Sequence, residues 1–304
     1  MISEVETGLA APERRLMAVH AHPDDEASKG AGMSAKYAKT GRVRIVTLTG
    51  GERGDILNPA LQADTEIAQH IARVRRSEMA AAAAALGVEH VWLGFEDSGF
   101  PTGDPLPPLP AGSFATVPIG EPVRELVRQI REFRPQVLTT YDEQGGYPHP
   151  DHIRAHIVSM MAVAAASDAQ AYPECGDPWQ VSKVYYDISF TTPRIMALQE
   201  AMLAAGLESP FGGWLERHKK YDSDRGFTRV ADARIDVAEF FPQRDAALRA
   251  HATQIDPDGF FFAVPRDLEA KVWPWEEFEL ALSTVGRPEP GQIEHDLFER
   301  IPGL

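Results

Sequence analysis

Arg15-Leu16-Met17-Ala18-Val19-His20-Ala21-His22-Pro23-Asp24-Asp25-Glu26 is the stretch on which the fold turns. Residues 15–21 have an unbroken apolar centre, which reads as a strand buried on both faces. Proline suits the first helical turn, where its missing N–H removes no bond. His22-Pro23-Asp24 therefore marks a strand-to-helix corner, and the helical pattern runs over 26–40 until Gly41 stops it. Residues 42–49, with β-branched Val43, Ile45, Val46 and Thr47, form a second strand. A strand–helix–strand unit implies a parallel pair joined by a right-handed crossover.

The same corner recurs at Tyr147-Pro148-His149-Pro150-Asp151-His152, after a strand over 136–141 and before a helix over 151–167. Between the two corners the pattern predicts a helix over 64–86 ended by Gly87, a strand over 90–93 and a helix over 121–133, with a proline- and glycine-dense excursion over 101–122. Beyond about residue 170 the alternation loosens into strands over 181–190, 228–237 and 278–283 and helices over 193–205 and 238–253. The expected fold is α/β and Rossmann-like, a mostly parallel sheet with helices on both faces and an elaborated C-terminal part. Residues 1–14 read as a flexible arm. Residues 15–304 read as a single domain, with roughly 170–304 completing the sheet and capping the site. In such sheets ligands bind at the carboxyl ends of the strands, where both corners fall.

The formal net charge of -15, from 45 acidic and 30 basic residues, argues against a nucleic acid or an anionic membrane as partner. A single cysteine, Cys175, precludes an intrachain disulfide and suits a reducing compartment. The first 14 residues carry three glutamates and no apolar run, unlike a signal peptide, and the apolar helical runs at 79–86 and 160–166 are too short to span a bilayer. These features predict a cytoplasmic protein. The loop Gly50-Gly51-Glu52-Arg53-Gly54-Asp55 lacks either nucleotide-binding glycine pattern, and reads as a structural turn or a substrate-contacting loop.

His22 and Asp25 lie three apart across a turn, and His152 stands at the second corner as a distant third ligand. Two imidazoles and a carboxylate leave coordination positions open, the pattern of a catalytic metal site, and nitrogen ligands favour Zn2+ or Fe2+ over Mg2+ or Ca2+. Asp24 leaves the backbone in a different direction from Asp25, so it can face the attacking water as a general base. The competing reading of Asp24 is a carboxylate capping free helix N–H groups. His149 and Tyr147 can donate to an oxyanion, and Asp151 can orient His149; Tyr147 also reads as a packed loop aromatic.

Ala21-His22-Pro23-Asp24-Asp25-Glu26 with His149-Pro150-Asp151-His152 resembles the LmbE/PIG-L-type metal-dependent deacetylases, which act on N-acylated glucosamine units. More narrowly, Val19-His20-Ala21-His22, Ser28-Lys29-Gly30, the run from Thr47 through Gly50-Gly51-Glu52-Arg53-Gly54-Asp55 to Pro59, Gly145-Gly146-Tyr147 and the run from Ala250 to Gly259 resemble the amidase branch that acts on mycothiol S-conjugates. The resemblance implies one Zn2+ per chain (or Fe2+) on His22, Asp25 and His152, Asp24 as base, and His149, Tyr147 and Asp151 assisting at the carbonyl. It implies that Arg75 and Asp97 hold the sugar-inositol part and that Lys29 contacts the larger acyl part. The implied reaction cleaves the amide between glucosaminyl-inositol and an S-substituted N-acetylcysteine, releasing a mercapturate. Three alternatives stand: the deacetylase acting on N-acetylglucosaminyl-inositol, a paralogue acting on another conjugate, and a non-haem iron oxygenase, whose facial triad is also two His and one carboxylate.

Overall fold

The computed structural model describes residues 13–188, 190–216 and 229–304. Most of the expected N-terminal arm, and Thr228 at the start of an expected strand, lie outside these residues. The first half runs β1 (Arg15–His20), α1 (Asp25–Ser28), α2 (Ala31–Ala38), β2 (Arg42–Thr49), α3 (Thr65–Gln69), α4 (Ile71–Leu86), β3 (Glu89–Phe95), α5 (Gly120–Phe133), β4 (Val137–Thr140) and α6 (Pro150–Ser167). The second half adds β5 (Lys183–Asp187), α7 (Thr192–Ala204), β6 (Ala233–Asp236), α8 (Phe241–Ala250), α9 (Arg266–Val272) and β7 (Trp275–Ser283).

One seven-stranded sheet results, in the order β3-β2-β1-β4-β5-β7-β6. Its first five strands are parallel; β7 runs antiparallel to both β5 and β6. The expected α/β fold, mostly parallel with an elaborated C-terminal part, is thus present. Leu16 and Ala18 of β1 join the core under α2, α4 and α8, whereas Met17 and Val19 join the core under α5 and α6. Successive side chains of a strand point to opposite faces, so a strand covered on both sides must be apolar throughout, as 16–19 are.

β1 has β2 on one side and β4 on the other. The chain leaves β1 outward through β2 and β3, then returns to place β4 on the opposite side. That reversal opens a crevice between the carboxyl ends of β1 and β4, and both histidine corners sit there.

Two expected helices are each split. The helix expected over 26–40 breaks at Lys29, which is extended, and Gly30, at φ 74°. A Cβ on Gly30 would lie 3.0 Å from Met33 Cε and 3.2 Å from Asp187 Oδ2, a tight fit, and the positive φ is the backbone conformation that favours glycine. The helix expected over 64–86 breaks at His70, and the Asp64 carboxylate caps the short α3 through the N–H groups of Glu66 and Ile67. The helix expected over 238–253 is a 3-10 turn over Ala238–Phe240 followed by α8, so residues 251–253 leave the helix. The described parts of the strands expected over 181–190 and 228–237 shorten to β5 and β6, Ser189 lying outside the described residues, and the last strand begins earlier, at Trp275. No helix among the described residues is long and apolar enough to cross a membrane.

Candidate active site

The corner after β1 is tied down by its neighbours. Ala21 O accepts from Thr49 N and Thr49 Oγ1, both at 2.9 Å, and Ala21 N donates to Tyr141 Oη at 2.8 Å. Asp24 then adopts φ 112° and ψ -26°. For a non-glycine residue this conformation costs about 1–3 kcal/mol, and such strain concentrates at functional sites. Asp24 precedes α1 but makes no side-chain cap bond, which removes the capping reading. Among the described residues its carboxylate has no hydrogen-bond or ion-pair partner. Burial and the neighbouring Asp25 charge push its pKa up to about 7.

The corner after β4 is built on glycine. Asp142 Oδ1 accepts from Gln144 N and Gly146 N at 2.8 and 2.9 Å, and Gly145 and Gly146 both sit at φ 73°. A Cβ on Gly145 would lie 2.5 Å from His152 Cβ, so the loop reaches the histidine only because Gly145 has none. Gly145 O lies 2.9 Å from His152 Nδ1. A carbonyl only accepts, so Nδ1 carries the proton and Nε2 presents its lone pair to the crevice. His149 is the N-cap of α6: its Nδ1 accepts from Asp151 N at 3.1 Å, which leaves the proton on Nε2. Burial and the neighbouring imidazoles push the His149 pKa down to about 3, and burial also lowers His152, so both rings are neutral.

The two corners meet. His22 Nδ1 lies 3.3 Å from His152 Nε2 and 3.5 Å from Asp25 Oδ2, and His152 Nε2 lies 3.4 Å from the same oxygen. Metal–ligand bonds of about 2.0–2.2 Å in tetrahedral geometry place ligand atoms about 3.3–3.5 Å apart, so these three atoms fit one divalent cation. Two further groups, His22–His149–His152 and His22–Asp97–Asp151, bring donor atoms within 4.8 Å of one another. In the first, His149 Nδ1 is already occupied by an N–H. In the second, both carboxylates lie on the Nε2 side of His22, at 3.3 Å (Asp151) and 3.5 Å (Asp97), and turn its Nδ1 toward His152 and Asp25. Burial disfavours a charged His22, but Asp151, Asp25 and Asp97 outweigh it and hold the ring well above its ordinary range. Burial likewise raises Asp25, but the Lys29 ammonium, with help from His22, holds it well below the usual carboxylate range. This surplus of carboxylate suits a bound cation.

The expected role of Asp151 is corrected by this geometry. Its carboxylate faces His22 and accepts from Ser98 N at 2.9 Å, while only its backbone N–H meets His149. Lys29 Nζ donates to Asp25 Oδ1 at 2.7 Å, so it grips the Asp25 carboxylate directly. Arg75 is fully buried, and its Nη2 donates to Gly54 O at 2.9 Å and Asp55 O at 3.1 Å, which fastens the glycine-rich loop over the site. Asp97 Oδ2 accepts from Arg53 N and Oδ1 from Gly99 N, in addition to facing His22. Tyr147 is 46% exposed at the rim, its ring 4.6 Å from that of His152. Burial and the surrounding carboxylates raise its pKa, so the phenol remains a donor.

Tyr141, read from sequence only as the end of a strand, donates to Asp25 Oδ2 at 2.6 Å. Its position at the exit of an apolar strand was the available signal. Phe100 is the other addition: 53% exposed, with its ring 5.6 Å from His149, it forms part of the rim.

Residues 17–163 match the family model described as PIG-L: GlcNAc-PI de-N-acetylase. The chain is 54% identical over 290 residues to a mycothiol S-conjugate amidase from Streptomyces coelicolor, covering 94% of this chain and 97% of that one. The chain belongs to the PIG-L family. A second relative within range of the PIG-L chain, a 1D-myo-inositol 2-acetamido-2-deoxy-alpha-D-glucopyranoside deacetylase from Streptomyces avermitilis, is 39% identical over 299 residues, covering 95% of this chain and 98% of its own. Among solved structures, the 4-carboxy-2-hydroxymuconate hydratase from Pseudomonas putida KT2440 superposes with a TM-score of 0.58 at 17% identity, over 91% of this chain and 99% of that one. At that identity the likeness speaks to the PIG-L fold alone.

Proposed function

We propose that this chain is a metal-dependent amidase that hydrolyses mycothiol S-conjugates to a mercapturate and glucosaminyl-inositol. The observation that carries the reading is the convergence of His22 Nδ1, Asp25 Oδ2 and His152 Nε2 within 3.5 Å of one another beside the unpartnered carboxylate of Asp24. His22, Asp25 and His152 would hold Zn2+ (or Fe2+), which when bound supplies Lewis-acid polarisation of the amide and a lower pKa for water. Asp24 takes the proton as water adds to the amide carbon. His149, with its proton on Nε2, and Tyr147 donate to the carbonyl oxygen as negative charge develops there. Asp24 then returns the proton to the departing amine nitrogen, giving a carboxylic acid and a free amine.

The identity of 54% to an S-conjugate amidase, against 39% to a deacetylase of similar length, supports the amidase over the deacetylase. Arg75 and Asp97 act in this reading by shaping the loops over the sugar, since the guanidinium and carboxylate are already engaged. Lys29 holds Asp25, and its position beside the crevice supports a contact with the acyl part. The unpartnered base beside the ligands favours hydrolysis over oxygen chemistry. Incubation of metal-loaded protein, under anaerobic conditions, with a bimane-labelled mycothiol conjugate and separately with N-acetylglucosaminyl-inositol tests the reading. Release of the bimane mercapturate in preference to acetate supports it; preferential acetate release selects the deacetylase, and dependence on oxygen defeats both.

A further inference from the structure

The Glu26 carboxylate is 1% exposed, and both its oxygens are spoken for. Oε2 accepts from Asp24 N at 3.0 Å, and Oε1 pairs with His251 Nε2. His251 is itself fully buried. It lies just past the end of α8, in the run 250–259 that the site described above leaves without a role. Its neighbours are fixed in turn. Ala252 O accepts from Asn58 Nδ2 at 2.9 Å, and Thr253 donates through N and Oγ1 to the two oxygens of Glu78 at 2.8 and 2.7 Å.

We infer that Glu26 and His251 form a positioning pair that holds the backbone of Asp24 in its left-handed conformation and so aims the Asp24 carboxylate. Asp24 is strained at φ 112° and has no side-chain bond of its own to keep it there. The Asp24 N–H to Glu26 bond acts directly on that torsion. Glu26 can offer a buried carboxylate oxygen only while a partner compensates it, and His251 is that partner. Without His251, Glu26 reorganises, the N–H is released and Asp24 relaxes toward an ordinary φ, carrying its carboxylate off line. A displacement of about 1 Å at a reacting group can cost about 100-fold in rate. Both side chains of the pair are buried from solvent.

The inference rests on Asp24 being the base, and the test separates the two claims. His251→Gln is made in the native chain and in an Asp24→Asn background, with metal content and melting temperature recorded for each protein and turnover followed on the bimane conjugate. In the native background kcat is expected to fall about 10-fold or more, with KM within about 2-fold and metal unchanged. In the Asp24→Asn background the same change is expected to cost less than about 2-fold, because there is no base left to aim. Equal fold-losses in both backgrounds, or no loss in the native one, overturn the inference. Glu26→Gln, which keeps an acceptor oxygen but loses the charge that binds His251, repeats the cycle should His251→Gln fail to fold, and is judged by the same two outcomes. Asp24→Asn retaining near-native kcat defeats instead the assignment of the base.

Discussion

The two corners that make the site solve one problem with opposite means. At the first, the chain turns through a strained aspartate, and the side chains that follow are buried and charged: Asp25 gripped by Lys29 and Tyr141, Glu26 by His251. At the second, glycines carry the turn, two neutral imidazoles have their protons placed by a backbone carbonyl and a backbone N–H, and the one carboxylate, Asp151, is turned toward His22 of the first corner. The difference is one of chemical labour. In the proposed reading the first corner would supply an imidazole, an anionic ligand and the base, while the second would supply a lone pair, hydrogen-bond donors and the Asp151 carboxylate that backs His22. Strain is tolerated where a side chain is needed at the turn itself, and glycine is used where only a close approach is needed.

The largest effect should come from cutting the link between the corners. His152→Ala is expected to lose the metal and bring turnover to background, with both read on one purified sample; full metal occupancy in that variant would separate the corners functionally. Asp24→Asn should keep the metal and lose about 10²–10⁴-fold in kcat, the usual worth of a positioned base. His149→Ala should cost about 10²–10³-fold in kcat, as removal of an oxyanion donor does, and a change confined to KM would instead make it a binding residue. On the stability side the corners should respond oppositely. Gly145→Ala, forced to hold φ 73° against His152, should destabilise the fold by about 1–3 kcal/mol in chemical denaturation. Asp24→Gly should leave stability unchanged or raised while abolishing turnover, because it relieves φ 112° and removes the base together. The smallest effect is expected from Tyr147→Phe, about 5-fold in kcat, equivalent to one neutral hydrogen bond of about 1 kcal/mol.

Much of this was legible in the sequence. Unbroken apolar strands such as 16–19 announce a sheet covered on both faces, and a proline after each histidine marks the strand exits. Those two signals place His22, Asp25, His149 and His152 at one end of the sheet. Side-chain direction was not legible. Spacing puts Asp151 beside His149 in the chain, yet its torsions turn the carboxylate to His22, 129 residues away. Lys29 and Arg75 look like free cations, but each is drawn to the nearest uncompensated oxygen, Asp25 Oδ1 for one and the carbonyls of Gly54 and Asp55 for the other. The helix breaks at Gly30 and His70 escaped notice because periodicity continues through them; at the first, Lys29 is extended and Gly30 takes φ 74°, torsions that spacing does not reveal. Glu26 and His251 stand 225 residues apart, beyond any local pattern.

Anomalous diffraction at the zinc absorption edge, from crystals of protein loaded with Zn2+, tests the central claim most directly. The account predicts a single strong peak about 2.0–2.2 Å from each of His22 Nδ1, Asp25 Oδ2 and His152 Nε2, with the Asp24 carboxylate outside bonding distance. A peak coordinated by Asp24, a peak that leaves out either corner, or no peak in the crevice between β1 and β4 would contradict it.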